Sequence, residues 1–403
     1  MKKDDTLIGG RKNRRSFLKN GMVAAGAMTA GVGLVSGSAA FAESDDRAPI
    51  TRGDIAILTF LSALEQVEAD LWIQYAELGG PTDKVPGTQG LSPTDLMQNG
   101  KKIVTGLAPA YITGLQQLDG DMPQYIADNT DDEISHHAFL NNYLESKGAK
   151  PIDLSEFAIL PPSRVTGVPQ HGRLTNLKQL TVDTSWWTVY RSDSKNPDLG
   201  GKFENAVPDL AKGQHPAIPV SNDDLVLDSM GNISVHLQAI ANTAGFHFAF
   251  IEQGGTSLYP SLAQRVTNVE VLRVLLSIGP SEAMHFQTWQ DKAGNAPNVT
   301  DGDLSFPMLN TGVDPNTGGP STSANADLFQ TNLIMPEPTF FLNRDLGVVS
   351  IARPTETRLA ATGAVRSFVE DGLFLDPATG KNTGIVAKLM RLAEEADAAR
   401  RRL

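Results

Sequence analysis

Three helical segments of this 403-residue chain carry carboxylates where core residues belong. Residues 52–79 read as a long amphipathic helix, starting near Thr51 and ending at Gly79-Gly80-Pro81. Stepping along it by three and four residues gives Leu58, Leu61, Glu65, Glu68, Trp72 and Tyr75, which form one stripe, the apolar one. The same walk through a helix over 121–147 gives Ile126, Asn129, Glu133, His136, Leu140 and Tyr143. A third walk, through 261–293, gives Val271, Leu275, Ile278, Glu282, His285 and Trp289. Two of the three stripes thus set a histidine three residues after a glutamate. Burying an unpaired carboxylate costs several kcal/mol. Four of them would approach or exceed the ~5–15 kcal/mol net stability of a typical domain. No lysine or arginine lies on these stripes near the glutamates. Two divalent cations would supply the compensating charge and accept both carboxylate oxygen and imidazole nitrogen. Glu65, Glu68, Glu133, His136, Glu282 and His285 are therefore expected to converge as metal ligands, with no preference between Glu65 and Glu68. The competing reading is that the stripes face solvent or pair with polar residues elsewhere. His137 is rotated by about 100° from His136 and is given a structural or supporting role.

The rest of the chain narrows the options. With no cysteine, thiolate metal sites, disulfides and a cysteine nucleophile are excluded, so a transition-metal site must use His, Asp and Glu. The sequence holds no phosphate-binding loop, no credible dinucleotide fingerprint and no nucleophile elbow. It holds no repeat of solenoid period either. A further helix is expected over 93–118, and an apolar one over 225–253, stopped by Gly254-Gly255. Between 149 and 224 the chain is irregular and reads as a packed insertion, anchored by Trp186 and Trp187. Gly279-Pro280 should kink the helix that carries Glu282, or mark its true start. Residues 294–403 read as a C-terminal extension, with extended segments around 330–352 and a charged helix at 384–402.

The first 42 residues read as an export signal. Arg14 and Arg15, followed by Phe17, Leu18 and Lys19, resemble the twin-arginine motif. The run from Met22 to Gly37 is rich in Gly and Ala and too weakly apolar for a membrane anchor. Ala40-Phe41-Ala42 fits a cleavage site, with 43–51 as a linker. The alternative is a retained N-terminal anchor. Removing 1–42, with seven Lys/Arg and two Asp/Glu, moves the net charge from −12 to −17. That argues against nucleic acid and anionic membrane surfaces as partners. A periplasmic or secreted protein without a membrane span is expected, handled by the twin-arginine machinery.

"ALEQVEADLW" at 63–72, "DDEISHHAFLNNYL" at 131–144 and "SEAMHFQTW" at 281–289 carry a resemblance to the ferritin-like superfamily. The likeness is to exported bacterial members, which are similar to desiccation-related and fungal stress proteins. It covers 52–293. It implies a mainly α fold, a four-helix bundle with one long crossover between its second and third helices. Here that crossover would hold the 149–224 insertion. It also implies a di-iron or di-manganese carboxylate centre, with one Glu from each of two helices and Glu-x-x-His from the other two.

On the third bundle helix no acidic residue lies between Asp228 and Glu252. Asn242 stands about where the family's glutamate would fall, His247 lies a little over one turn later, and Glu252 is near the expected helix end. His247, or more weakly Asn242, would close the site from this helix; alternatively the second glutamate of the first helix is recruited, one metal alone is held, or the site is degenerate. His236 and His247 share a face and alternatively form a hydrogen-bonded core pair. Two functions follow. One is a metalloprotein handling oxygen, peroxide or metal, with an unidentified redox partner. The other is a non-catalytic envelope protein, for stress protection or binding, with a degenerate site. The additions to the bundle argue against a cage and for a monomer or small oligomer.

Overall fold

A computed structural model of the chain describes residues 49–82, 96–98, 100–191, 202–307, 309 and 359–402. The signal and most of the linker expected at the N-terminus, and the extended segments expected at 330–352, lie outside these residues. In chain order the helices are α1 (Arg52–Gly79), α2 (Pro109–Gln116), α3 (Met122–Ser146), α4 (Ser185–Arg191), α5 (Val235–Ala263), α6 (Val269–Ala293), α7 (Ala360–Asp371) and α8 (Ile385–Asp397). The fold is mainly α. The sheet structure described is three antiparallel two-stranded hairpins. No helix among the described residues is long and apolar enough to cross a membrane.

Helices α1, α3, α5 and α6 form the bundle, with α1 lying along α3 and α5 along α6. Helix α1 starts where its capping signal predicts. Asp54 N–H donates to Thr51 Oγ1, and Thr51 N–H donates back to Asp54 Oδ2. The other Asp54 oxygen accepts from Thr267 N–H, so one carboxylate ties the start of α1 to the entry of α6. Because α1 is buried on nearly every side, its polar residues must find partners inside the protein.

Three helices have boundaries that differ from expectation; the one expected over 261–293 begins at Val269, capped by Asn268, because the preceding helix runs on to Ala263. The stretch expected to be helical over 93–118 is helical only from Pro109. Before it, Met97–Gln98 pairs with Lys101–Lys102 through Gly100, whose φ of 73° suits a tight turn and not a helix. Helix α5 begins at Val235, capped by Ser234, because 226–234 forms a turn closed by a Leu227–Ile233 bridge. It then runs through Gly254-Gly255 to Ala263, with Pro260 inside it. Helix α6 likewise continues through Pro280.

The crossover between α3 and α5 packs on the bundle. Arg173 forms a buried ion pair with Glu77 of α1, and Asp70 of α1 accepts hydrogen bonds from Leu174 N–H and Thr175 N–H. Trp186 and Trp187 are buried, Trp186 against Phe246 of α5 and Phe286 of α6 and Trp187 against Phe246. In the C-terminal extension, α8 packs against α1 and α7, and α7 against α5. Asp397 of α8 accepts from Ala361 N–H and Thr362 N–H at the start of α7, satisfying donors the helix itself leaves unpaired.

Candidate metal centre

The stripes meet inside the bundle. Glu65 comes from α1, Glu133 and His136 from α3, and Glu282 and His285 from α6. His136 Nδ1 lies 3.2 Å from Glu65 Oε2, 3.1 Å from Glu133 Oε2 and 3.2 Å from Glu282 Oε1. One ring nitrogen carries at most one hydrogen and cannot donate to three carboxylates. Four ligand-type atoms from three helices pointing at one another suit the donor set of a cation.

A second set stands beside the first. His285 Nδ1 lies 3.2 Å from Glu133 Oε1, 3.3 Å from Glu252 Oε2 and 3.9 Å from Glu282 Oε2. Within each set the ligand atoms lie within 4.8 Å of one another, and both sets include Glu133 and Glu282. The two sets share two carboxylates, and each contains one histidine.

The outer nitrogens of both histidines are held. His285 Nε2 faces Asp132 Oδ2 at 3.0 Å, and His136 Nε2 faces Ser281 Oγ at 3.3 Å. Ser281 gives its own hydrogen to the Ile278 carbonyl, so its oxygen accepts from His136. Both rings therefore carry hydrogen on Nε2, and in the neutral form turn the Nδ1 lone pair inward. Partners of this kind fix the tautomer of a metal-bound histidine. The outer oxygens of two carboxylates are held too. Glu252 Oε1 accepts from Trp72 Nε1–H and Asn129 Nδ2–H, both at 3.0 Å, and Glu65 Oε1 accepts from Tyr259 O–H. Each leaves Oε2 for the interior.

Protonation answers to this crowding. Burial, reinforced by Glu282 and Glu252, pushes Glu133 well above the usual carboxylate range. Burial also lifts Glu252 to about 7, despite the opposing pull of His285. Burial acts upward on Glu282 as well, but the close approach of the protonated His136 and His285 outweighs it and holds the carboxyl at about 2. Burial would lower both histidines, yet Glu65 and Glu133 beside His136, and Glu252 and Asp132 beside His285, raise them. Without metal, protons occupy the inward nitrogens. Even so, both Glu282 oxygens are fully buried and receive no well-directed hydrogen bond. Buried carboxylate oxygens of this kind, aimed into a set of N and O donors, fit a pair of divalent ions.

The structure separates the remaining candidates. Glu68 borders the cluster but belongs to neither ligand set. His247 lies elsewhere. Its Nδ1 meets Tyr75 O–H at 2.8 Å and its Nε2 meets Asp371 of α7 at 3.0 Å. Both of its nitrogens are used in joining α1, α5 and α7. Asn242 donates to the Pro297 carbonyl and accepts from Gln238. His236 pairs with Asp301 at 2.7 Å and not with His247. His137 Nδ1 is buried without a hydrogen-bond partner among the described residues. The α5 residue of the cluster that the sequence pattern did not single out is Glu252. A signal for it existed. Once α5 is carried past the glycines, Phe248, Glu252, Gly255 and Tyr259 form a stripe like that of α1, with the carboxylate in the middle.

A bundle of four long helices with two carboxylate-bridged His/Glu sets at its centre defines the ferritin-like class. The chain belongs to the ferritin-like domain family, whose sequence pattern matches residues 53–295. No curated protein and no solved structure matches it.

Proposed function

We propose that this protein holds two divalent metal ions, iron or manganese, between α1, α3, α5 and α6. Glu65 and His136 would hold one ion, Glu252 and His285 the other, and Glu133 and Glu282 would bridge them. The observation that carries this reading is the sharing of Glu133 and Glu282 by two histidine-containing sets. Such a pair of ions, when bound, exchanges electrons with dioxygen or peroxide, so oxidase, peroxide-handling or metal-handling activity is the reading the site supports best.

The chain's own residues prepare the centre. Asp132 and Ser281 aim the two imidazoles, Trp72 and Asn129 fix Glu252, and Tyr259 fixes Glu65. The aromatic wall of Trp72, Trp289 and Phe248, with ring centroids 4.7–5.2 Å apart, excludes water behind Glu252. Glu252 also favours this reading over a non-catalytic protein with a degenerate site, because it supplies the third-helix carboxylate.

We infer as well that the protein is exported by the twin-arginine route to the periplasm or beyond. The support is Arg14-Arg15 ahead of a weakly apolar run. Export already folded suits a protein whose buried site is filled before it leaves.

Titration of metal-free protein with Fe(II) or Mn(II) tests the centre. Two ions per chain are expected for the natural sequence. The Glu133→Ala/Glu282→Ala variant is expected to take up none while keeping its helical circular dichroism. Undiminished uptake by that variant would refute the assignment.

A further inference from the structure

A cavity of about 190 Å³ opens beside the cluster, between α1, α5 and α7. Its walls are apolar: Leu64, Phe250, Leu258 and Phe368 are all at least nine-tenths buried. At its inner end stands the buried carboxylate of Glu68. Gly255 lines the same end, and a Cβ built there would lie 2.9 Å from Glu282 Oε2. One missing side chain thus separates the cavity from a bridging carboxylate. The outer end reaches the surface, where Gly363 is exposed and Gln253, Ala364 and Ser367 are half-buried.

We propose that this cavity binds a small organic substrate of the phenol class, a single apolar ring with one hydroxyl directed at Glu68. Volume sets the size. An apolar cavity of ~150 Å³ is enough to bind benzene, so this one holds one ring and a substituent. The buried part of the wall is apolar, and the polar side chains Gln253 and Ser367 lie towards the mouth. Glu68 supplies the polar contact at the buried end. A ring seated here has its hydroxyl beside the cluster and its far edge towards the surface between α5 and α7. As a substrate subsite this rests on the metal-centre reading, but occupancy of the cavity does not require metal.

The probe is 4-fluorophenol, followed by ¹⁹F NMR on the full chain, both metal-free and metal-loaded. Saturable binding is expected in both forms, with 4-fluorotoluene at least fivefold weaker because it lacks the hydroxyl. Ala364→Trp, which fills the cavity from α7 without touching a candidate ligand, should weaken 4-fluorophenol at least tenfold and leave metal uptake unchanged. Ser367→Trp at the mouth should do the same and replaces it if the first variant loses its fold. Absence of saturable binding, equal affinity for the two probes, or unchanged affinity in the folded variants would overturn the proposal. A chain that takes up two ions but no probe loses the pocket alone. One that binds the probe but takes up no metal loses the centre and keeps the pocket.

Discussion

Glu252 and Glu282 are both buried carboxylates on neighbouring helices, yet their environments push them apart, to about 7 and about 2. Glu282 lies between both histidines, whereas Glu252 has one histidine, His285, against its burial. The protonation of the metal-free cluster gives a pH prediction. Glu252, Glu133, Glu68, His136 and His285 are all raised, so between about 4.5 and 7 the folded chain holds more protons than the unfolded one. Stability of the metal-free protein should therefore fall as pH rises through that window, with Glu252 contributing at most about 3 kcal/mol. Metal displaces those protons, so the gain in Tm on adding Mn(II) should grow over the same range. Thermal melts from pH 4.5 to 7.5 check both slopes, and Glu252→Gln should flatten the first. A metal-free stability that climbs with pH would contradict this picture of the cluster.

At the scale of the helix, α5 shows what the sequence pattern reveals and what it hides. The stripes of α1, α3 and α6 were legible, because a glutamate among Leu, Trp and Tyr at helical spacing has few explanations. On α5 the Gly254-Gly255 pair reads as a stop. Read so, Glu252 falls at a frayed end and His247 falls mid-helix, where a ligand is sought. Packing reverses this. Gly255 has no side chain because Glu282 fills the space, with Cγ and Cβ at 3.1 and 3.2 Å from a built Cβ. Gly254 meets nothing within 4 Å. Adjacent glycines should then respond oppositely to alanine. Gly255→Ala should cost about 1–3 kcal/mol, as overpacking does, and weaken metal uptake by displacing Glu282. Gly254→Ala should stabilise by about 0.4–1 kcal/mol and leave uptake intact. Urea denaturation of the two variants decides it, and equal effects would show that α5 and α6 do not touch as described. No spacing rule anticipates the role of His247, since its partner Asp371 lies 124 residues away on α7.

Across the whole molecule, the crossover and the C-terminal extension wrap a bundle that already buries its own site. The crossover's place was legible from topology, because parallel neighbours in such a bundle need one long connection. Its detailed path was not, since it depends on isolated contacts such as Arg173 with Glu77. The proposed export belongs to this scale as well. Replacing Arg14 and Arg15 by Lys should leave the precursor in the cytoplasm, as fractionation of the host and immunoblotting would show, and normal export of that variant would contradict the twin-arginine assignment. Anomalous diffraction from crystals of protein purified from its own host measures directly whether two metal ions share one buried place. Two anomalous peaks are expected at the iron or manganese edge, one beside His136 Nδ1 and one beside His285 Nδ1, with Glu133 and Glu282 reaching both. Metal-loaded crystals with no peak there, or with peaks only outside the space between α1, α3, α5 and α6, would contradict the two-metal reading.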